Sequence, residues 1–129
     1  MTRQIRFGLP AAVAAAGLLC YATVADAAGA LAIGTCDRFG YSYDHANPGL
    51  AQARALVECA KNGDNRCRVV VNTRHNCGAF ALDASNRCGA RGWGVAPNRR
   101  RAERIAIDQC YNYGGRNCRV QGWTCDGSP

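Results

Sequence analysis

Cysteine is the residue type most able to do chemistry in this chain, with 9 among 129 residues. Cysteines serve as metal ligands, nucleophiles or bridges, and spacing separates the three. Structural zinc sites draw on Cys-x-x-Cys or His-x-x-x-His pairs. The chain has neither, and His45 and His75 stand isolated. A catalytic thiol needs an unpaired cysteine beside a base. Ser42, Asp44, His45 and His75 have the residue types of an acid–base–nucleophile set. Adjacent strand residues point to opposite faces, however, so Asp44 does not orient His45, and no Gly-x-Ser-x-Gly elbow is present. Glycoside hydrolysis needs two carboxylates across a cleft. The two glutamates, Glu58 and Glu103, fall in segments with helical periodicity, where they are expected to face solvent and pair with arginines. Gly114-Gly115 is followed by no Lys-Ser/Thr pair, so no phosphate-cradling loop is expected. The expectation is a chain with no catalytic residues, no metal and no cofactor.

The redox compartment then decides what the cysteines do. Arg3 and Arg6 precede an uncharged apolar run from Gly8 to Val24, and Ala25-Asp26-Ala27 is a small-x-small cleavage site. Residues 1–27 therefore read as a secretory signal peptide. The apolar run is short for a bilayer span and is interrupted by Pro10. A lipidated Cys20 is disfavoured by the bulky Leu19 before it. Cleavage leaves 102 residues with a net charge of +6 and eight cysteines, an even number in an oxidising compartment. The expected location is secreted or periplasmic. Length and composition exclude a multidomain enzyme, a coiled coil and a polytopic membrane protein, and 48% apolar content is enough for a core.

The elements that position these residues are written twice. Gly29-Ala30-Leu31-Ala32-Ile33 matches Gly78-Ala79-Phe80-Ala81-Leu82. Ala51, Ala55 and Cys59 match Ala102, Ala106 and Cys110, and Cys67-Arg68-Val69 matches Cys118-Arg119-Val120. Each copy reads as strand, strand, helix, strand. Short apolar runs at 30–33 and 79–82 and aromatic alternations at 40–43 and 92–95 give the first strands. Asn47 before Pro48, and Asn98 after Pro97, cap helices over 48–60 and 99–111. Small alanines recurring every four residues put one narrow face of each helix against a sheet. Glycines at 63, 114 and 115 end the helices, and 68–73 and 119–124 are the returning strands. The fold class is therefore α+β: one domain over 28–129, made of two pseudo-symmetric repeats at about 29–77 and 78–125.

The Gly-Ala-x-Ala starts, the Ala-rich helices ending in cysteine, the Cys-Arg-Val strands and the central Cys77-Gly78-Ala79 together resemble a bacterial secreted family, domain of unknown function 4189. The resemblance covers residues 28–129. It implies export and compactness, and supplies no catalytic residue. Cys36 and Cys88 are additions to the family pattern, and Gln121-Gly122 makes the last strand less regular than its counterpart.

Eight cysteines allow 105 pairings. The repeat favours local bridges, Cys59 with Cys67 and Cys110 with Cys118, each tying a helix end to the returning strand. It leaves Cys77 with Cys125, tying the repeat ends, and Cys36 with Cys88, tying two early loops. Spacing alone leaves the connectivity open, that of Cys36 and Cys88 above all.

Two surface features remain. Tyr41, Tyr43, Trp93 and Trp123 have the types that stack on sugars or bases, but in so small a chain they are expected in the core. Arg99-Arg100-Arg101 opens the second helix, where cations oppose the helix dipole. With Arg104, Arg91 and Arg116 the cluster is a candidate anion-binding face. The functional expectation is an exported, non-enzymatic binding module for an acidic protein or envelope polymer. A small cell-wall hydrolase or its modifier, and a structural or stress protein of the envelope, are the alternatives. Export argues against nucleic acid as the partner, and no membrane span remains after cleavage.

Overall fold

The computed structural model describes residues 27–61 and 63–127, with the isolated Gly8 and Gly17. Apart from those two glycines and Ala27, the leader assigned to residues 1–27 lies outside the described residues. The element order is β1 (Ala28–Ile33), β2 (Phe39–His45), α1 (Pro48–Cys59), β3 (Arg68–Arg74), β4 (Cys77–Asp83), β5 (Arg91–Ala96), α2 (Arg99–Asn112) and β6 (Cys118–Cys125). Two three-stranded antiparallel sheets result, ordered β2-β1-β3 and β5-β4-β6. They are two pseudo-symmetric strand-strand-helix-strand units. Both helices start as capping chemistry dictates. The Asn47 side chain accepts the Leu50 N–H at 3.0 Å, and the Asn98 side chain accepts the Arg101 N–H at 2.9 Å.

The period-2 alternation of the two central strands builds four layers. Ala28, Ala30 and Ala32 of β1 meet Ala51, Ala55 and Cys59 of α1. Cys77, Ala79 and Ala81 of β4 meet Ala102, Ala106 and Cys110 of α2. The opposite faces carry the large side chains. Leu31, Ile33 and Val71 of the first sheet pack on Phe80 and Leu82 of the second. Helix, sheet, sheet and helix are therefore stacked, with the bulky core between the sheets and small residues under the helices. In this face-to-face packing β2 lies against β6, and β3 against β5.

The helices lie very close to their sheets. A Cβ on Gly40 would collide with the Ala55 carbonyl oxygen and the Cys59 nitrogen; one on Gly92 would collide with the Ala106 carbonyl oxygen. Both returning strands bulge at the same place. The register against the central strand slips between Leu31 and Ala32 in the first unit, and between Phe80 and Ala81 in the second. Val70 and Gln121 are the extra residues, so the irregularity at Gln121-Gly122 is a feature of the repeat.

The two units tie their loops with one carboxylate each, supplied from opposite sides. In the second unit buried Asp83, at the end of β4, accepts the N–H groups of Ser85, Arg116 and Asn117. In the first, Asp64 from the helix–strand loop accepts those of Thr35 and Arg66. The position facing Asp64 is Gly34, where a Cβ would strike the carboxylate. Backbone donors hold both carboxyls below their ordinary values, Arg116 first at Asp83 and Arg66 first at Asp64.

Four disulfides staple this frame. Cys59–Cys67 and Cys110–Cys118 each tie a helix end to the returning strand. Cys77–Cys125 joins directly opposed residues of β4 and β6. The sequence reading has this bridge tie the ends of two repeats; β4 begins at Cys77, so both cysteines lie in the second sheet. Cys36–Cys88 crosses between the units. Arg87 reaches Asp37 at 2.9 Å beside it.

Two outcomes follow. Gly92→Ala should cost about 1–3 kcal/mol, because the helix must lift off the sheet. Urea denaturation with the disulfides intact reads this, and an unchanged midpoint would show that the close approach is not enforced. Replacing Cys36 and Cys88 together by serine removes the disulfide between the units, which closes a loop whose entropy is worth up to about 4 kcal/mol. Non-reducing peptide mapping of that variant should still find the other three bridges, and the native protein should contain none of the eight thiols free.

Candidate binding surface

Because β2 and β6 are edge strands lying one against the other, their seam opens on the side of the sandwich. Phe39, Tyr41 and Tyr43 alternate along one face of β2, while Gly40 and Ser42 face α1. The rings of Phe39 and Tyr41 stack at 6.4 Å with 17° between planes, and Phe39 packs on Phe80 at 5.7 Å. Across the seam Gly122 leaves room for the Phe39 ring, which a Cβ there would strike. The resulting cleft, about 570 Å³, is lined by Phe39, Tyr41, Tyr43 and residues 121–125. On the other side of β2 a second hollow of about 640 Å³ continues to α1 and the turn after it, where Arg54 and Glu58 of the helix and Lys61 of the turn form its wall. Arg54 and Lys61 both pair with Glu58 at 2.6 Å. The Lys61 ammonium holds the Glu58 carboxyl below its ordinary value, with Arg54 adding to it.

The expectation that the aromatics serve the core is corrected here. Trp93 packs against the core, but Tyr41 is 44%, Tyr43 59% and Trp123 39% exposed. The physical reason is space. Under the helices the buried residues are small, chiefly alanine, glycine and cysteine, and between the sheets Leu31, Ile33, Val71, Phe80 and Leu82 already fill the volume. Aromatics on the edge strands are left at the rim.

The arginine cluster is divided. Arg99 stacks on Trp123, with its guanidinium carbon 3.9 Å from the ring centroid, and its Nε donates to Glu103 at 2.7 Å. Helical spacing puts Arg101 on the side of Ile105, which abuts Gly94 of β5, away from Arg99 and Glu103. Arg100, Arg101 and Arg104 are exposed, and their side chains have no hydrogen bond or ion pair among the described residues. Arg91 donates to the Gly34 carbonyl at 2.6 Å, and Arg116 is exposed in the loop before β6. The cluster thus reaches the cleft through Arg99 alone.

The polar residues at the far end of the seam are structural. The buried Ser42 hydroxyl donates to the Ala51 carbonyl at 2.6 Å and accepts the Ala30 N–H at 3.2 Å, so it is not available as a nucleophile. Asp126, which no local sequence pattern singles out, is buried after β6. It accepts the Asp44 N–H at 2.9 Å and the Thr73 hydroxyl, and so clamps the end of the second unit onto two strands of the first. Asp44 and His75 there have positive φ, 54° and 56°. Burial raises the Asp126 pKa; the Asp44 N–H opposes that shift, the Asp44 charge adds to it, and His45 and His75 oppose it. Among the described residues no group of three or more His, Cys, Asp or Glu is placed to hold a metal, and no helix is long and apolar enough to cross a membrane.

A raised carboxyl pKa means that folding favours the protonated form. The stability cost of Asp126 is present above its folded pKa and is relieved as pH falls through it toward the unfolded value, near 3.9. Wild type should therefore gain stability relative to Asp126→Asn as pH falls from 5 to 4. Parallel denaturation curves check this, and a relative loss on acidification would contradict it.

A family model described as Domain of unknown function (DUF4189) matches residues 28–125. No curated protein matches the chain. The solved NMR structure of Rv1813c from Mycobacterium tuberculosis is similar to it, with a TM-score of 0.51 and 25% identity, covering 97% of each chain.

Proposed function

The chain belongs to the DUF4189 family, and we propose that it is an exported, non-enzymatic binding module whose ligand is acidic. The observation that carries this reading is the state of the arginines on α2. Three of them, Arg100, Arg101 and Arg104, are exposed without a partner among the described residues, and the fourth, Arg99, is at the rim of an aromatic cleft. Neither helix has an acidic residue in its first turn, and α1 begins without cations. The cations on α2 are therefore not required to build the helix, and those in its first turn, Arg99, Arg100 and Arg101, each oppose its dipole by about 0.3–1 kcal/mol. A feature that the fold tolerates without needing is a candidate for selection by a partner. The secretory leader read over residues 1–27 and the four disulfides support a place outside the cytoplasm, where envelope polymers and exported proteins are the acidic partners at hand.

Replacing Arg100, Arg101 and Arg104 by glutamine tests this while leaving the Arg99–Glu103–Trp123 contacts in place. Stability should stay level or rise slightly. Retention on immobilised heparin should fall, and wild-type retention should weaken with salt as charges are screened beyond about 8–10 Å. Equal retention of the two proteins across a salt gradient would reduce the cluster to a solvated face.

A further inference from the structure

The twofold that exchanges the two units carries the β2/β6 seam onto the β5/β3 seam, so each seam is the other's built-in control. The register pairs Phe39 with Ile33 and Arg91 with Leu82, Tyr41 with Leu31 and Trp93 with Phe80. Gly122 opposes Phe80 where Val71 opposes Leu31. At the β5/β3 seam the space around Trp93 is occupied: Val71 fills the core, Trp93 packs against it, and Arg68 sits over the Trp93 ring at 5.6 Å. At the β2/β6 seam glycine replaces that valine, three aromatics line one strand, and the cleft is open. The same backbone thus gives one seam filled around Trp93, with a smaller hollow of about 360 Å³ among Arg66, Arg68 and Arg91 at its end, and one seam open along its aromatics.

We propose that the open seam is the ligand site, and that its occupant is an anionic polysaccharide strand whose pyranose faces stack on Tyr41, Tyr43 and Trp123. This rests on the acidic-ligand reading above and names the polymer. Cations flank the aromatics from both sides: Arg54 of α1 and Lys61 just after it, which share the one Glu58 carboxylate and leave a net positive charge, and Arg99 over Trp123, which also pairs with Glu103. That arrangement matches a chain of sugar rings with apolar C–H faces that also bear carboxylates. An extended peptide adding to the β2 edge fits less well, because that edge is already used. The Ser42 carbonyl accepts the Thr124 hydroxyl at 2.8 Å, and the Asp44 N–H is held by Asp126.

Calorimetry with three probes tests the assignment: an alginate oligosaccharide, with rings and carboxylates; a neutral cello-oligosaccharide, with rings alone; and polyglutamate, with charge alone. Alginate should bind best. Tyr43→Ala with Trp123→Ala should weaken it at least tenfold, and Trp93→Ala should not. Tyr43→Ala alone, at the most exposed of these rings, should weaken it severalfold if the double variant folds poorly. Absence of alginate binding, or equal binding by both Tyr43→Ala and wild type, overturns the site. Polyglutamate binding that the aromatic variants leave intact and the arginine variant abolishes would keep the acidic-ligand reading and sink the polysaccharide; alginate binding lost in the aromatic variants but not in the arginine variant would do the reverse to the α2 cluster.

Discussion

Everything in this protein depends on how closely each helix lies on its sheet. Ala30, Ala32, Ala51 and Ala55 are fully buried in the first unit, and Ala79, Ala81, Ala102 and Ala106 in the second. Gly40 and Gly92 bring the edge strands so near that a single methyl group would meet helix backbone. Small interfaces bury little area per residue, at roughly 25 cal/mol per Å². Neither helix–sheet pair has much apolar stabilisation of its own. The disulfides from Cys59 and Cys110 pin each helix end at its strand, and the sheets must bury their bulky faces against each other. The four-layer stack is the consequence.

Duplication makes that stack nearly symmetric, and the departures from symmetry carry information. Some are neutral exchanges. The loop-tying carboxylate is Asp83 on one side of its loop pair and Asp64 on the other, with Gly34 giving way to the latter. Others are not interchangeable. Glycine at 122 in place of valine, and Phe39, Tyr41 and Tyr43 in place of Arg91, Trp93 and Val95, turn a seam filled at its middle by Trp93 into one open along its aromatics. Asp126 closes the far end of that seam as a buried carboxylate shared by both units.

The secondary structure was legible because it rests on local rules: asparagine caps, alanines every four residues, and alternation around a Gly-Ala start. Both helices begin where their caps place them, and six strands form in two units of one pattern. The seam was not legible. Tyr41, Tyr43 and Trp123 have core composition, and only the docking of one sheet on the other decides which aromatics find volume and which stay at the rim. Phe39 and Asp126 were missed for the same reason, since their partners Gly122, Asp44 and Thr73 come from the other unit. Arg99 separates from its neighbours because Trp123 reaches it from β6, a contact that lies outside any local pattern.

The chain has two tryptophans, one at each seam, and they provide the most direct test. In a nitrogen-15 correlation spectrum each gives its own indole N–H signal. Titration with an alginate oligosaccharide should shift the Trp123 signal, with the amides of residues 41–43 and 121–124, and leave Trp93 in place. Equal movement of both indoles, or movement of Trp93 alone, would contradict the claim that the open seam is where this protein meets its ligand.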